Sequence, residues 1–347
     1  MSSLTPEDVA LAAFLHDIGK FWWPAAGGKR PEIVNSWLDF LPSERSGRPT
    51  HLHAAYSAAF VSRYVCGEAD DAMAAVVAGH HEPSTREDWI VAVADRIASG
   101  ERQVAAPEIS VSDPGTARIS SPFNNDQYFQ LLHRSACADE GSTDRFHPTT
   151  IPNHDSGEMA LAWESFVRDV EGLGVPQTDS GTWLELLREH TIRIPAQSPT
   201  AKGHYKPSIS IFDHSRMCAA LAHVLATSSM SEREVQALQN TRDPEVTPFS
   251  LILGDLSGVQ KFLYTGSTAR AIRALKGRSF FLQFLSEYFS NLTRKRLGLT
   301  PFAELFTGGG RFVLIGPGQP ELRSIRSDLE RILLQELNGQ IGICLLY

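Results

Sequence analysis

The stretch Leu15-His16-Asp17-Ile18-Gly19-Lys20 sets the strongest limit on how this chain can fold. It follows an apolar run from Val9 to Phe14, and so commits an imidazole and a carboxylate to the edge of a hydrophobic core. Thr5, Pro6, Glu7 and Asp8 read as an N-cap, a proline at the first helical position and acids in the first turn. A helix is therefore expected to start there, with Val9, Ala10, Ala13, Phe14 and Ile18 on its apolar side. His16 and Asp17 fall in its last turn, and Gly19 stands where a left-handed C-terminal residue is wanted. Neighbours in a helix point about 100° apart, so the two side chains can share metal ions only if other helices bring ligands to the same spot.

Later segments have the same character. Thr50 reads as the cap of a small-residue helix, His51 to Phe60, with His51 and His53 in its first turn. A third helix, Asp70 to Gly79, runs into Gly79-His80-His81-Glu82-Pro83, and Pro83 stops it with both histidines at its end. Asp95 interrupts the apolar stripe of the next helix, Trp89 to Arg102. A carboxylate on such a face is costly without a partner, and a metal ion is the natural one. Further on, Ile209 to Phe212 leads through Asp213 and His214 into a helix reaching about Thr227. His133, His147, His154, His190 and His204 have no ligand-like spacing and read as ordinary loop or surface residues.

Between these segments, Phe21 to Pro49 reads as a loop-rich connection, and 103–205 as a loop-rich insertion holding two amphipathic helices, Met159 to Val170 and Thr182 to Thr191. Ser228 to Thr247 is polar. Beyond it the pattern changes: a buried strand from Phe249 to Asp255, a helix from about Thr268 to Arg296, and strands Ala303 to Thr307 and Arg311 to Gly316 joined at Gly308-Gly309-Gly310. A second helix, Glu321 to Leu337, and a last strand, Gln340 to Tyr347, complete the order βαββαβ, that of a ferredoxin-like fold and of polymerase and cyclase palms. The fold class expected is α+β: a helical bundle at 1–230, a linker at 231–247 and a ferredoxin-like domain at 248–347. A chain of 347 residues has room for two cores.

Charge and cysteines narrow the function classes. The formal net charge of -8 gives no global attraction to nucleic acid, so any such binding must use local basic patches or partner subunits. Cys66, Cys137, Cys218 and Cys344 lie far apart with no CxxC, against a zinc ribbon or a disulfide framework. No apolar run has the length of a membrane span and the start shows no secretion signal, so a cytoplasmic protein is expected.

The candidate metal ligands are His16, Asp17, His53, His80, His81, Asp95 and His214; His51 competes closely with His53. His16, Asp17 and Lys20 are the candidate catalytic residues, Lys20 to bind or orient a phosphate oxygen. This set resembles the HD metal-dependent phosphohydrolases, whose ligands come from a His, the His-Asp doublet, further His and an Asp. Nothing among residues 1–15 supplies the first His. His214 replaces it if the helix bearing that ligand has moved from the start of the domain to its end, a circular permutation. Imidazoles and carboxylates suit one or two divalent ions, Mn²⁺, Ni²⁺, Co²⁺ or Mg²⁺, able to polarise a phosphodiester and activate water. The competing reading is a helical bundle with incidental buried histidines.

With HDIGK, HAAYSAAF, AGHHEP, VADRIASGER, SISIFDHSR, GDLSGVQKFLY, ALKGRSFFLQ and FTGGGRFVL in this order, the chain resembles the large subunit of type III CRISPR effector complexes, the Csm type, over nearly all its length. The resemblance implies a permuted HD domain that cuts single-stranded DNA. It also implies a first palm that, with a second palm, makes cyclic oligoadenylates from ATP, both activities being switched on by target RNA bound to guide RNA among other effector subunits. The second palm, with its GGDD hairpin, would lie beyond residue 347. Asp255, Ser257, Gly258, Gly308, Gly309 and Gly310 are the candidate ATP contacts, and Gly308-Gly309-Gly310-Arg311 stands where catalysis wants two acids. Three readings follow: a nuclease on single-stranded DNA, a phosphohydrolase of small nucleotides with a nucleotide-sensing palm, or an idle scaffold.

Overall fold

In the computed structural model, residues 4–67, 71–99, 117–124, 126–131, 148–174, 177–196, 207–239, 246–265 and 271–347 are described. His133, His147, His204 and Cys137 lie outside them. The chain divides into two compact units, Met1–Ala222 with Ala226–Asn240, and His223–Leu225 with Thr241–Tyr347.

The first unit is helical. Helix α1 (Pro6–Leu15) begins as its sequence demands: the Thr5 side chain accepts from the Asp8 N–H, and the Asp8 carboxylate accepts from the Thr5 N–H. His16 is its C-cap, in right-handed conformation, and α2 (Gly19–Ala25) follows almost at once. Gly19 therefore does not end a helix in left-handed conformation; it opens the next one. A Cβ there would lie 2.0 Å from the His53 carbonyl oxygen and 2.8 Å from the Ser57 nitrogen. What requires glycine is the close passage of α2 across α4 (Leu52–Val61), where the Gly19 N–H also donates to Ser57 Oγ at 2.8 Å.

Thr50 does not cap α4. His51 holds the N-cap position in left-handed conformation, φ 55°, with no side-chain cap, and the Thr50 hydroxyl donates instead to the Pro42 carbonyl. The connection from Phe21 to Pro49 is more ordered than a loop-rich segment: it holds α2, a short α3 (Glu32–Asn35) and a 3-10 turn, Leu38–Phe40. Helices α5 (Ala72–Gly79) and α6 (Arg86–Ala98) pack against α1.

Helices α7 (Ser156–Leu173) and α8 (Ser180–Thr191) belong to this core. Phe166 and Trp183 are fully buried, Trp163 stacks on Trp22 at 5.3 Å, and Phe60 stacks on Phe166 at 5.5 Å. Burying aromatics of this size stabilises by several kcal/mol, which fixes the segment to α2 and α4. His154 and His190 are accordingly buried rather than superficial; His190 Nε2 pairs with Asp169 at 3.0 Å, and His154 lies beside Glu158. Helix α9 (Ile211–Thr227) carries His214. The stretch expected to be a linker contains α10 (Glu232–Ala237), because Ser231 and Glu234 form a capping box and Val235 is buried against α6.

The second unit has the order β1 (Phe249–Ser257), α11 (Val259–Tyr264), α12 (Ala271–Arg296), β2 (Glu304–Gly308), β3 (Arg311–Pro317), α13 (Arg323–Leu337), β4 (Gly342–Leu346). Its sheet runs β2-β3-β1-β4, every neighbouring pair antiparallel. Ile252, Leu256, Phe312 and Leu314 on one face pack with Leu282, Leu285 and Phe289 of α12 and Leu329 and Leu333 of α13. Strand β1 is not buried on both faces: Leu251 is 61% and Leu253 37% exposed, with Phe306 and Leu346 also exposed. The alternation of period 2 is thus real here although the sequence reads as one continuous apolar run. Gly309 (φ 61°) and Gly310 (φ 88°) make the two-residue hairpin turn, in which both central residues need positive φ.

Candidate metal centre

Each expected ligand sits at a helix end or on an inward helix face of the first unit. His16 caps α1, Asp17 follows it, His53 is in the first turn of α4, His80 caps α5, Asp95 lies in the last turn of α6, and His214 in the first turn of α9. Their side chains meet. His214 Nε2 is 3.0 Å from Asp95 Oδ1 and 3.5 Å from Asp17 Oδ2, while His16 Nε2 is 3.5 Å from Asp17 Oδ2 and 3.7 Å from Asp95 Oδ1. On the other side, Asp17 Oδ1 faces His53 Nε2 at 3.4 Å, and His53 Nε2 lies 3.0 Å from His81 Nε2. One carboxylate thus addresses two groups of nitrogens. His53, not His51, is the histidine placed against Asp17; His51 is solvent-exposed, its ring centre 4.0 Å from that of His81.

Local backbone geometry settles the proton positions of two rings. His16 Nδ1 donates to the Ala13 carbonyl at 2.7 Å and His80 Nδ1 to the Val77 carbonyl at 2.6 Å. A carbonyl can only accept, so the proton is on Nδ1, and Nε2 in the neutral ring is a bare lone pair. Both Nε2 atoms are buried without a hydrogen-bond partner in the structure. An orphaned lone pair in a dry site is costly, and a divalent cation is the partner that satisfies several at once. His, Asp and Cys donor atoms within 4.8 Å of one another form the groups His16-Asp95-His214-Cys218, His16-Asp17-His80 and His53-His80-His81. Two imidazoles with a carboxylate, or three imidazoles, are fitting sets for a divalent transition ion.

The electrostatics favour the ligating forms of both carboxylates and of the His53, His80 and His81 rings. Burial works against ionisation of Asp17, but Lys20, whose Nζ is 2.5 Å from Oδ2, and the His16, His53 and His214 rings overcome it and hold the carboxyl well below the usual range. Asp95, also opposed by burial, is held low by the His16 ring and by its hydrogen bond to His214. Burial, then the His16 ring, pushes His80 down to about 4. Burial and Lys20 lower His53, and burial with the crowding of His80 and His53 lowers His81. These rings stay neutral at physiological pH, as ligands must. His16 moves the other way: burial disfavours its charged form, but Asp17 and Asp95 outweigh that.

Cys218, fully buried one turn after His214, is the residue sequence reasoning missed. The spacing of four on one helix was the available signal. In the second unit, Asp255 pairs with Arg311 across the β1–β3 ladder at 2.7 Å. Gly258 has φ 81° at the start of α11, and a Cβ on it would lie 2.7 Å from the Gln340 carbonyl oxygen. Backbone geometry thus accounts for Gly258, Gly309 and Gly310 without a ligand.

Comparison with known proteins accords with this geometry. Residues 2–100 match the HD domain family, and residues 248–347 match the Csm1 subunit domain B. Residues 2–100 are thus similar to HD domains. It is 26% identical, over 96% of its length and 44% of the relative's, to the CRISPR system single-strand-specific deoxyribonuclease Cas10/Csm1 (subtype III-A) of Methanocaldococcus jannaschii. It is 27% identical to the protein of the same description from Thermococcus onnurineus, over 74% of this chain and 31% of that one. A Csm1-Csm4 cassette solved in complex with pppApA shares the fold, with TM-score 0.69, 22% identity, and coverage of 98% of this chain and 44% of that one. The chain spans less than half the length of these relatives. What is shared with these structures is the fold, helices with a small antiparallel sheet. No described helix is long and apolar enough to cross a membrane.

Proposed function

We propose that this chain is the part of a type III-A CRISPR large subunit that carries a metal-dependent nuclease for single-stranded DNA, followed by the first of two palm domains. The observation that supports the nuclease best is Asp17, whose two oxygens face separate groups of buried nitrogens, two of them orphaned lone pairs. Divalent ions held there would polarise the phosphate and lower the pKa of bound water. Asp17, held ionised, would offer one oxygen to each group of nitrogens. The Ala13 and Val77 carbonyls aim His16 and His80 inward, and His53, His81, Asp95 and His214 complete the walls. Lys20 fixes Asp17 and keeps two further N–H donors for a phosphate oxygen. A permuted order, with one ligand supplied from α9, is supported by the 3.5 Å approach of His214 to Asp17. The relatives' description as single-strand-specific deoxyribonucleases supports the substrate. A stacked duplex cannot thread a strand into a pocket lined by helix ends.

The test is cleavage of single-stranded DNA, duplex DNA and mononucleotides with Mn²⁺, Ni²⁺, Co²⁺ or Mg²⁺ added to metal-free protein. Metal-dependent cutting of the single strand, with duplex a poor substrate, is expected. Faster hydrolysis of mononucleotides would instead favour a small-nucleotide phosphohydrolase, and failure to bind any ion would leave a scaffold.

We infer that the second unit is a ferredoxin-like palm that works with a second palm, with guide RNA, target RNA and other effector subunits around it. Its exposed Leu251, Leu253, Phe306 and Leu346 support a partner on the open sheet face. ATP, if it meets Asp255, Ser257, Gly258 and the Gly308 to Gly310 turn, binds weakly. Nucleotidyl transfer needs several carboxylates around the metal ions, and Asp255 is already paired with Arg311. Incubation with ATP and Mg²⁺ or Mn²⁺ should give no cyclic oligoadenylate by mass spectrometry; any such product would show the palm to be catalytic alone.

A further inference from the structure

Cys218 stands inside the metal centre, and the established pattern of an HD site, built from histidines and aspartates, gives it no role. Its Sγ lies 3.5 Å from His214 Nε2. One donor atom each from His16, Asp95, His214 and Cys218 falls within 4.8 Å of the others. The side chain is fully buried, and four residues along one helix brings it to the same face as His214. The lone pair of His16 Nε2, fully buried and without a hydrogen-bond partner, belongs to the same set of four.

We propose that the Cys218 thiolate is a direct ligand of the ion held by His16, Asp95 and His214, so that this position takes a thiophilic ion. The inference rests on the metal-centre reading and sharpens it. Two imidazoles, one carboxylate and one thiolate make a four-donor set of the kind that suits a tetrahedral borderline-soft cation. Without the sulfur, the remaining donors would accept Mn²⁺ or Mg²⁺ far more readily. With it, Zn²⁺ and Co²⁺ are preferred, and the thiol proton passes to solvent as the ion binds. The second position, faced by His53, His80 and His81, has no sulfur near it among the described residues. The two positions of one centre would therefore differ in softness.

Cobalt distinguishes the possibilities, because its visible d–d bands report occupancy and a near-ultraviolet charge-transfer band reports thiolate bonding. Titrating metal-free chain with Co²⁺ should develop both, and Cys218→Ser should lose the charge-transfer band while keeping visible absorption. Visible bands with no charge-transfer band in the wild type would overturn the role of Cys218 and leave the metal centre standing. A charge-transfer band that persists in Cys218→Ser would place the sulfur elsewhere and also overturn it. No visible absorption at all would remove the metal centre itself, and the inference with it. Should Cys218→Ser and Cys218→Ala both fail to fold, zinc X-ray absorption on the wild type decides. A sulfur scatterer at about 2.3 Å is expected, and a shell of nitrogen and oxygen alone would refute the proposal.

Discussion

Asp17→Asn should reduce metal-dependent cleavage of single-stranded DNA by more than about 100-fold, beyond the 10–100-fold typical of groups that only support a metal ligand. The change keeps the shape of the side chain and removes its charge. Three consequences follow together. The two nitrogen groups lose the anion that addresses both, through Oδ2 toward His16 and His214 and through Oδ1 toward His53. Lys20 loses the carboxylate that holds it and becomes an unbalanced cation beside the ion sites. The His16 ring, whose charged form is disfavoured by burial and favoured by Asp17, loses the carboxylate 3.5 Å from its Nε2 that shares its ion position. Bound metal measured by mass spectrometry should fall in parallel with activity, while circular dichroism stays unchanged because no apolar contact is altered. Wild-type cleavage rates in Asp17→Asn would refute the assignment of this centre as the nuclease.

Gly19→Ala should destabilise the first unit by about 3 kcal/mol or more, the upper end of what overpacking costs. The added carbon would meet the His53 carbonyl oxygen at 2.0 Å and the Ser57 nitrogen at 2.8 Å, both backbone atoms of α4 that no rotamer change can clear. Relief requires α2 and α4 to separate, which would strand the hydrogen bond from the Gly19 N–H to Ser57 Oγ and pull His53 from Asp17. Urea unfolding measures the loss, and metal affinity should drop with it. Gly172→Ala is the matched comparison: that glycine is inside α7 with nothing within 4 Å of a Cβ. Alanine there should be neutral or stabilising by about 0.5–1 kcal/mol. Equal stability of the two variants would mean that α2 and α4 are not packed as closely as described.

Much of this protein was legible in its residues because the rules involved are local. Thr5, Pro6 and Asp8 specify the start of α1 within one turn. Pro83 stops the chain from continuing α5. Gly309 and Gly310 announce the hairpin that joins β2 to β3, since few other residues accept positive φ twice in succession. The polar residues His16, Asp17, His80 and Asp95 stood out because each interrupts an apolar run, where a charge without a partner is expensive. Composition could place them at a core edge, and the resemblance of the motifs supplied the chemistry they share.

Partners distant in sequence were decided only by the tertiary structure. Asp95 and His214 are 119 positions apart, and no periodicity states that α6 and α9 bring them to 3.0 Å. The reason for glycine at position 19 lies in a backbone crossing with α4 rather than in its own φ. The burial of His154 and His190 depends on Phe166 and Trp183 folding that segment onto α2 and α4, which their own neighbours in sequence do not state. The open face of β1 was hidden by its own apolar residues: Leu251 and Leu253 are as hydrophobic as Ile252, and only the packing of α12 and α13 on one side selects which of them is covered. Cys218 carried no signal beyond its spacing from His214, because a buried thiol is ordinary until other donors surround it. Local interactions write themselves into adjacent residues; a site assembled from helix ends exists only once the helices have packed.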